Sequence, residues 1–483
     1  MSEDGRCEEV RSLKLAILDN DKLADFSLCW FHPIHQRHKL IHTMNSRDLL
    51  IDSFRAALTA ADPLLLVPQQ LPAPPDASTG GKTIVVGAGK AAAAMAKAVE
   101  LHWPRQAALE GIVITRYAHG YAGGESLQRI RVSEAGHPVP DDAGETAAKE
   151  ILALVKSAGP NDLVLVLVSG GGSSLLSLPA GDISMADLKA VTKDLLSSGA
   201  PIQEMNVVRK HLSAIQGGRL AAATSARIVS LIISDVTSDD PSSIASGPTA
   251  PDISTYQDAL NVLNAYCITP PISIARHLSK GVRGEIAETI KPDNPIFARV
   301  DNRVIATAYA SLAMAASYFQ QRGITPMILG DSVTGEAREV AKVYAALCRQ
   351  IRIHHHPLKP PVALISGGEC TVTIGDQNSG RGGRCTEFLL SLAIELDGLD
   401  GISALACDTD GIDGSEDNAG AFLPADALST ARNKVSNESA LRDAKALLAK
   451  NDAYRFFSDL GELIVTGPTR TNVNDYRVIL IET

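Results

Sequence analysis

Short apolar runs alternate with polar, glycine-containing loops along most of the chain. The run at residues 163–168 is Leu-Val-Leu-Val-Leu-Val, uninterrupted and rich in valine. Such a run predicts a strand buried on both faces, as in a parallel sheet. Similar runs lie at residues 83–86, 227–233, 362–365 and 402–406, with helical patterns between many of them. This alternation predicts an α/β fold with largely parallel sheets.

The length of the chain predicts two domains, because 483 residues are too many for one compact core. Residues 1–43 differ in their sequence pattern from the rest of the chain. We expect them to be a disordered N-terminal extension, or a segment that is included because the start codon was assigned upstream of the true one. They contain Cys29 and several histidines, but not with the paired spacing of a zinc site. A polar, proline-containing boundary then divides an N-terminal domain at residues 44–290 from a C-terminal region at residues 296–483.

Composition narrows the class of protein. Hydrophobic residues make up 45% of the chain and charged residues 21%, as in a soluble globular protein. The formal charge of -10 argues against a nucleic-acid or anionic-membrane partner. No apolar run approaches the roughly 20 residues that a membrane span needs. The seven cysteines are scattered, without a C-x-x-C pair, so we expect free thiols and a cytoplasmic location.

The loop after residues 163–168 combines three glycines with three serines. Glycines permit positive φ angles and expose backbone N–H groups, and serine hydroxyls add donors. Because open α/β sheets bind ligands at the carboxyl ends of their strands, we predict an anion-binding loop; a simple turn is the alternative. The predicted cofactor-binding residues of this loop are Ser169, Gly170, Gly171, Gly172, Ser173 and Ser174.

A second glycine loop follows the strand at residues 83–86 and precedes an alanine-rich helix. Gly87 and Gly89, also predicted to bind cofactor, fit the dinucleotide pattern G-x-G-x-x-G/A, which is a weak signal by itself. Lys90 departs from that pattern. A lysine at a helix N-terminus is unfavourable unless an anion lies there, so we predict that Lys90 faces a phosphate; a solvated surface lysine is the alternative.

Further polar side chains follow at helical spacing. Asn206, Arg209, Lys210 and Ser213 fall on one side of a predicted helix. That side could meet phosphates or carboxylates, or it could be a solvated face.

Carboxylates come directly after several predicted strands. Asp235 follows residues 227–233, where it could hold Mg²⁺ or accept a proton. Glu369 follows residues 362–365, and Asp408, Asp410 and Asp413 follow residues 402–406. With the two glycine loops, Lys90 and the arginines near residue 384, these groups suit phosphoryl transfer, which needs donors and cations around phosphates. The residues alone therefore predict an α/β enzyme that acts on a phosphorylated compound.

The motifs resemble those of the class II glycerate 2-kinases, in which an N-terminal domain precedes a MOFRL domain. The resemblance covers roughly residues 44–483. Seven motifs occur in the expected order, at residues 87–92, 169–174, 234–236 with 247–249, 366–369, 382–384, 409–414 and 471–475.

The resemblance implies two α/β domains, one Rossmann-like and one of MOFRL type, with the active-site cleft between them. It also implies ATP-dependent phosphorylation of D-glycerate to 2-phosphoglycerate with Mg²⁺. Lys90 would neutralise phosphate charge, and Arg384 would clamp the glycerate carboxylate or the moving phosphoryl group. Asp235 would orient the substrate hydroxyl or, with Asp410, bind the metal. The predicted substrate-binding residues are Asn206, Lys210, Glu369, Asp408, Asp410 and Asp413.

Two other functions stay open. An NAD(P)H-dependent hydroxypyruvate reductase is the main alternative, because the family has also carried that label. No acidic residue ends the next strand to bind an adenosine ribose, but Arg116 there could accept the 2′-phosphate of NADP. A non-catalytic regulator that binds sugar phosphates would need a DNA-binding or partner-binding module. We find no such segment, and the net negative charge disfavours DNA. We expect a small-molecule substrate and a monomer or homodimer.

Overall fold

The computed structural model describes residues 45–121, 127–374, 380–428 and 437–483. The predicted N-terminal extension, residues 1–43, lies outside these ranges. Ser46–Thr483 forms one compact unit, which contains two six-stranded sheets. Within the described ranges, no helix is both long and apolar enough to cross a membrane.

The first sheet is wholly parallel and confirms the predicted α/β fold. Its strands lie in the order β3-β2-β1-β4-β5-β6. The order reverses between β1 and β4, and at such a point the loops on either side diverge and leave a crevice at the carboxyl ends of the strands. The strands are β1 Thr83–Ala88, β2 Leu109–Arg116, β3 Ile130–Ala135, β4 Leu163–Val168, β5 Arg227–Ile233 and β6 Val300–Ala306.

Helices cover both faces of this sheet, which explains why β1 and β4 are buried along their whole length. Successive side chains of a strand point to opposite faces. Val85 and Leu165 therefore join the core on one face, and Val86 and Val166 join the core on the other. All residues of β4 are buried, as the sequence predicts for residues 163–168.

The second sheet is mixed, with the strand order β11-β10-β9-β12-β8-β7. Only β7 and β8 pair in parallel; the other neighbouring pairs are antiparallel, so four strands point one way and two the other. The strands are β7 Thr325–Gly330, β8 Val362–Ser366, β9 Ile402–Asp408, β10 Gly420–Leu423, β11 Leu463–Ile464 and β12 Asp475–Ile481.

Helices connect and cover the strands of both sheets. Those up to β6 are α1 Ser46–Thr59, α2 Pro63–Gln70, α3 Ala92–His102, α4 Asp142–Ser157, α5 Gly172–Leu175, α6 Met185–Ser197, α7 Ile202–His211, α8 Arg219–Ala222, α9 Tyr256–Ala265 and α10 Ile272–Val282. Those after β6 are α11 Ala308–Gln320, α12 Ala337–His354, α13 Arg384–Leu396, α14 Asn437–Ala449 and α15 Ala453–Leu460. Helices α6, α7, α9 and α10 form a separate apolar cluster beside the first sheet.

Two elements cross the boundary that the sequence predicts near residues 290–296. Strand β6 follows this boundary but is the edge strand of the first sheet, beside β5. Helix α1 comes early in the chain but packs on the second sheet, where Phe54 stacks on Tyr476 with 5.7 Å between ring centroids. The two predicted domain ranges stay a prediction. Hydrophobic periodicity identifies a strand or a helix, but it does not identify the neighbours against which that element packs.

Gly87 provides a test of the packing between β1 and β4. A Cβ at this position would lie 1.9 Å from the backbone oxygen of Leu167. We expect Gly87→Ala to lower the free energy of unfolding by about 1–3 kcal/mol, because the strands would have to separate. The control is Gly159→Ala, whose Cβ would lie 3.9 Å from the nearest atom, in Asp162. Denaturant unfolding measures both; equal stabilities would contradict the expected clash.

Candidate active site

The two glycine loops lie side by side at the point where the strand order reverses. Gly87, Gly89 and Lys90 are at the end of β1, and the serine-glycine loop follows β4. The backbone N–H of Lys90 donates to the oxygen of Gly170 at 2.9 Å, and the Ser169 hydroxyl accepts from the N–H of Ala91 at 3.0 Å. These hydrogen bonds join the loops into one surface.

Close packing accounts for several of the glycines. A Cβ on Gly170 would lie 2.0 Å from Oδ2 of Asp235, and one on Gly172 would lie 2.5 Å from Cβ of Ala245. Gly171 adopts a left-handed conformation with φ of 80° at the start of α5. Ser173 and Ser174, the last predicted cofactor-binding residues, continue from here: Ser173 contacts the Ser246 hydroxyl at 2.9 Å, and Ser174 donates to the oxygen of Gly171 at 3.2 Å.

Lys90 contacts the second sheet through Asp410. Its Nζ lies 2.6 Å from Oδ2 of Asp410, and the two side chains are only 12% and 2% exposed. Burial opposes the charge of Lys90, but Asp410, Asp408 and Glu369 outweigh it and raise its pKa. Burial also opposes the charge of Asp410, yet Lys90 lowers the pKa of that carboxyl. Lys90 is therefore a buried cation paired with an ionised carboxylate, and the solvated alternative is wrong.

Arg384 binds three carboxylates at once. From the first turn of α13, its guanidinium reaches Glu369 at 2.9 Å, Asp408 at 2.6 Å and Asp475 at 2.8 Å. Burial and the neighbouring Asp410 carboxylate raise the pKa of Asp408 well above its ordinary value. The predicted residues Glu369, Asp408 and Arg384 are thus brought together next to the pair of Lys90 and Asp410.

Asp475 and Arg477 also belong to this cluster, although we did not predict them as site residues. The second oxygen of Asp475 accepts from Arg477 at 2.7 Å, and Arg477 donates to the backbone oxygens of Gly367 and Gly368 at 2.9 and 3.2 Å. Arg477 is only 1% exposed. The sequence indicates these two residues, because Asp475 and Arg477 are the charged positions in β12, whose other residues are Tyr476 and four aliphatic side chains.

Asp235 follows β5 and lies against the glycine loop. Its Oδ2 accepts from Nδ2 of Asn472 at 3.1 Å, a contact between the ends of the two sheets. Burial raises the pKa of Asp235 to about 6, opposed by the charge of Lys90 and assisted by that of Glu369. A carboxyl group with this pKa can be ionised near neutral pH and still accept a proton.

The helix face predicted at α7 is divided between different environments. Lys210 is buried and pairs with Asp252 at 3.2 Å. Asp252 therefore compensates its charge, and Lys210 takes no part in the ion pair of Lys90. Asn206 accepts from the hydroxyl of Ser246 at 3.2 Å and donates to the oxygen of Ser243 at 3.3 Å. Neither predicted substrate-binding residue contacts the charged cluster directly.

Asp413 caps helix α13. Its carboxylate accepts from the backbone N–H groups of Cys385 and Thr386, both at 2.9 Å, and from the Thr386 hydroxyl at 2.8 Å. The side chain is fully buried. This predicted substrate-binding residue therefore orients the first turn of the helix that carries Arg384.

The predicted metal ligands Asp235 and Asp410 both face the charged cluster. Among the residues that the structure describes, no group of three or more His, Cys, Asp or Glu side chains is arranged to hold a metal ion. Mg²⁺ in kinases usually takes one or two carboxylates and completes its shell with phosphate oxygens and water. A single ionised carboxylate such as that of Asp410 fits an ion held in this way.

Two known protein families match the chain. One is described as a domain of unknown function, DUF4147, and matches residues 49–279; the other is the MOFRL family and matches residues 362–475. Together they cover the loops of both sheets that form the site.

Three named relatives match over most of their length. A protein of Agrobacterium vitis named "Putative hydroxypyruvate reductase" is 47% identical over 91% of this chain and 95% of its own. The glycerate 2-kinase of Pyrococcus horikoshii is 38% identical over 83% of this chain and 88% of its own. The crystal structure of a glycerate kinase from Thermotoga maritima superimposes with a TM-score of 0.77 and 35% identity, covering 90% of this chain and 99% of that one.

Replacement of Asp413 tests its capping role. We expect Asp413→Ala to lower the free energy of unfolding by about 2 kcal/mol, because three donors at the start of α13 would lose their acceptor. The matched control is Asp417→Ala, an exposed aspartate nearby whose hydrogen bond is to the Tyr454 hydroxyl. Chemical denaturation compares the two variants, and an unchanged midpoint for Asp413→Ala would show that the cap is dispensable.

Proposed function

The chain belongs to the MOFRL-containing glycerate 2-kinase family, and from this premise we propose that it transfers the γ-phosphoryl group of ATP to the 2-hydroxyl of D-glycerate. The observation that carries the proposal is the buried pair of Lys90 and Asp410. It places a cation beside two glycine loops at the switch point of a Rossmann-like sheet. Phosphoryl transfer depends mainly on such positioned cations and backbone donors.

We assign the glycine loops and Lys90 to the phosphates. The N–H groups of Gly170, Gly171 and Ser173, which donate to no group among the described residues, and the ammonium group of Lys90 would supply donors and positive charge next to one another. Arg384 lies on the other side of the carboxylates and supplies a second cation. These charges would stabilise the negative charge that spreads over the transferring group.

Asp235 is our candidate for the group that accepts the hydroxyl proton. The 2-hydroxyl oxygen would bond to the γ-phosphorus as the bond from that phosphorus to the bridging oxygen of ATP breaks. The hydroxyl proton would pass to Asp235, and ADP would leave. A pKa near 6 suits this role near neutral pH.

Mg²⁺ would be held by the nucleotide phosphates with Asp410, or Asp235, as the protein ligand, and it would neutralise phosphate charge. Asp410 stays ionised because Lys90 lowers its pKa against the effect of burial. It can therefore exchange its contact with the ammonium group for one with a metal ion.

A hydroxypyruvate reductase is the second candidate, favoured by the strand order of the first sheet and by the name of the Agrobacterium vitis relative. Its cofactor would place the adenosine ribose at the end of β2, where an acidic residue usually binds the hydroxyls. Arg116 stands there instead, 4.0 Å from Asp410. Its position near the charged cluster supports the kinase.

One pair of assays separates these functions. The protein is incubated with D-glycerate, ATP and Mg²⁺, with ADP release measured by a coupled assay and the product identified by phosphorus NMR. In parallel, NADPH and NADH oxidation is measured with hydroxypyruvate. We expect ADP and 2-phosphoglycerate, and loss of both on addition of EDTA. Oxidation of NADPH or NADH without ADP release would overturn the proposal.

Removal of the two cations should affect the chemical step. We expect Lys90→Ala and Arg384→Ala each to lower kcat/KM at least about 100-fold, because each removes charge that stabilises the transferring group. Lys82→Ala is the control, since Lys82 pairs with Glu110 at the opposite end of β1. Near-normal kcat/KM in both site variants, measured by ADP release, would refute their assigned roles.

The pH dependence tests Asp235. Since its pKa is about 6 and only the ionised form accepts a proton, kcat/KM should fall tenfold per pH unit below that value and level off above it. We expect Asp235→Asn to lose about 100- to 10,000-fold in rate and to lack this acidic limb. Persistence of the limb in Asp235→Asn would assign it to another group, such as the nucleotide.

A further inference from the structure

A small cavity lies beside the glycine loop. It lies between the start of α5 and the end of α7, and the centre of a water-sized sphere can occupy about 20 Å³ of it. Its polar lining consists of four serines, Ser173, Ser174, Ser177 and Ser213, together with Thr192, Arg209 and Gln216. Only hydroxyls, an amide and one guanidinium contribute, and no carboxylate lines it, so the cavity favours an anion.

Arg209 has no negative partner among the described residues. Among the same residues, its guanidinium donates a single hydrogen bond, to the amide oxygen of Asn206 at 3.4 Å. Burial lowers the pKa of Arg209 to about 10, which reflects the cost of holding the charge there without compensation. A partly buried cation of this kind is stabilised when an anion binds it.

Two other cations near the site, Lys210 and Arg384, are already compensated. Lys210 is bonded to Asp252, and Arg384 to three carboxylates. A substrate carboxylate placed against Arg384 would meet the negative charges that surround it. A carboxylate placed against Arg209 would meet only positive and neutral groups.

Ser213 adds a directed donor to the same cavity. Its hydroxyl oxygen accepts from the backbone N–H groups of Ile215 at 3.2 Å and Gln216 at 3.1 Å. Both lone pairs are then used, and its proton finds no acceptor among the described residues. The residue is only 4% exposed, so a ligand in the cavity is the natural acceptor.

His137 connects the cavity to Lys90. A Cβ on Gly171 would lie 2.9 Å from Cδ2 of His137 and 3.4 Å from Cγ of Lys90, so the three residues are in close contact. Burial lowers the pKa of His137 to about 3, and both Lys90 and Arg209 contribute to this shift. The imidazole is therefore a neutral spacer between two cations.

We propose that Arg209 and Ser213 bind the carboxylate of D-glycerate, so that the adjacent 2-hydroxyl is presented towards Lys90 and Asp235. This assignment rests on the proposed kinase function and names the residues that select an acidic acceptor. Arginine suits the role because its planar guanidinium can bind both oxygens of a carboxylate. The carboxylate and the 2-hydroxyl are on neighbouring carbons, so fixing one positions the other.

The test compares wild type, Arg209→Gln and Arg209→Lys with Arg276→Gln, an exposed arginine on α10 that serves as the control. Each enzyme is assayed with D-glycerate and with D-glyceramide, whose amide carries no charge. We expect Arg209→Gln to raise KM for D-glycerate about 100-fold, with KM for ATP unchanged. With D-glyceramide, wild type and Arg209→Gln should agree within about threefold, because the lost interaction is with the charge.

Arg209→Lys keeps the charge and should recover part of the affinity, which separates a binding role from a folding defect. Calorimetric titration of D-glycerate without ATP gives the same comparison independently of turnover. Unchanged D-glycerate affinity in Arg209→Gln, or an equal loss with D-glyceramide, would overturn the assignment while leaving the kinase intact. Wild type that binds D-glycerate but forms no phosphoglycerate would instead refute the proposed function.

Discussion

The ion pair between Lys90 and Asp410 is the contact on which the site depends. Lys90 belongs to the loop after β1 in the first sheet, and Asp410 to the loop after β9 in the second. Neither charge would be stable alone at this burial, because an unpaired buried ion loses its hydration without compensation. The pair therefore forms only when both sheets are in place, and it draws the two glycine loops and the carboxylates into one cluster.

The charges around this pair are distributed unevenly. Towards the second sheet, three carboxylates bonded to Arg384 make the environment strongly negative. One of them, Asp475, also pairs with Arg477. Towards the helices beside the first sheet, Arg209 carries an uncompensated positive charge. A substrate with a phosphoryl-accepting hydroxyl and a carboxylate would be oriented by this difference, because only one end of the site attracts its negative group.

Helix α7 and Asp413 show how far side-chain chemistry can be assigned before the fold is known. Arg209 and Lys210 are neighbours in sequence and both carry a positive charge, yet Lys210 pairs with Asp252 while Arg209 lines a cavity. Asp413 shares a loop with Asp408 and Asp410, but it accepts from the backbone at the start of α13. In each case the partner is distant in sequence, so local hydrophobic periodicity does not predict the contact.

Local sequence by itself determined the strands, the glycine loops and the presence of a cation at Lys90, because buried strands need continuous apolar side chains and tight approaches need glycine. The mixed pairing of the second sheet, the position of β6 and the packing of α1 were decided only by the tertiary structure. The same holds for the role of each charged side chain. A charge is determined by its residue type, but its compensation depends on which other charges the fold brings within a few ångströms.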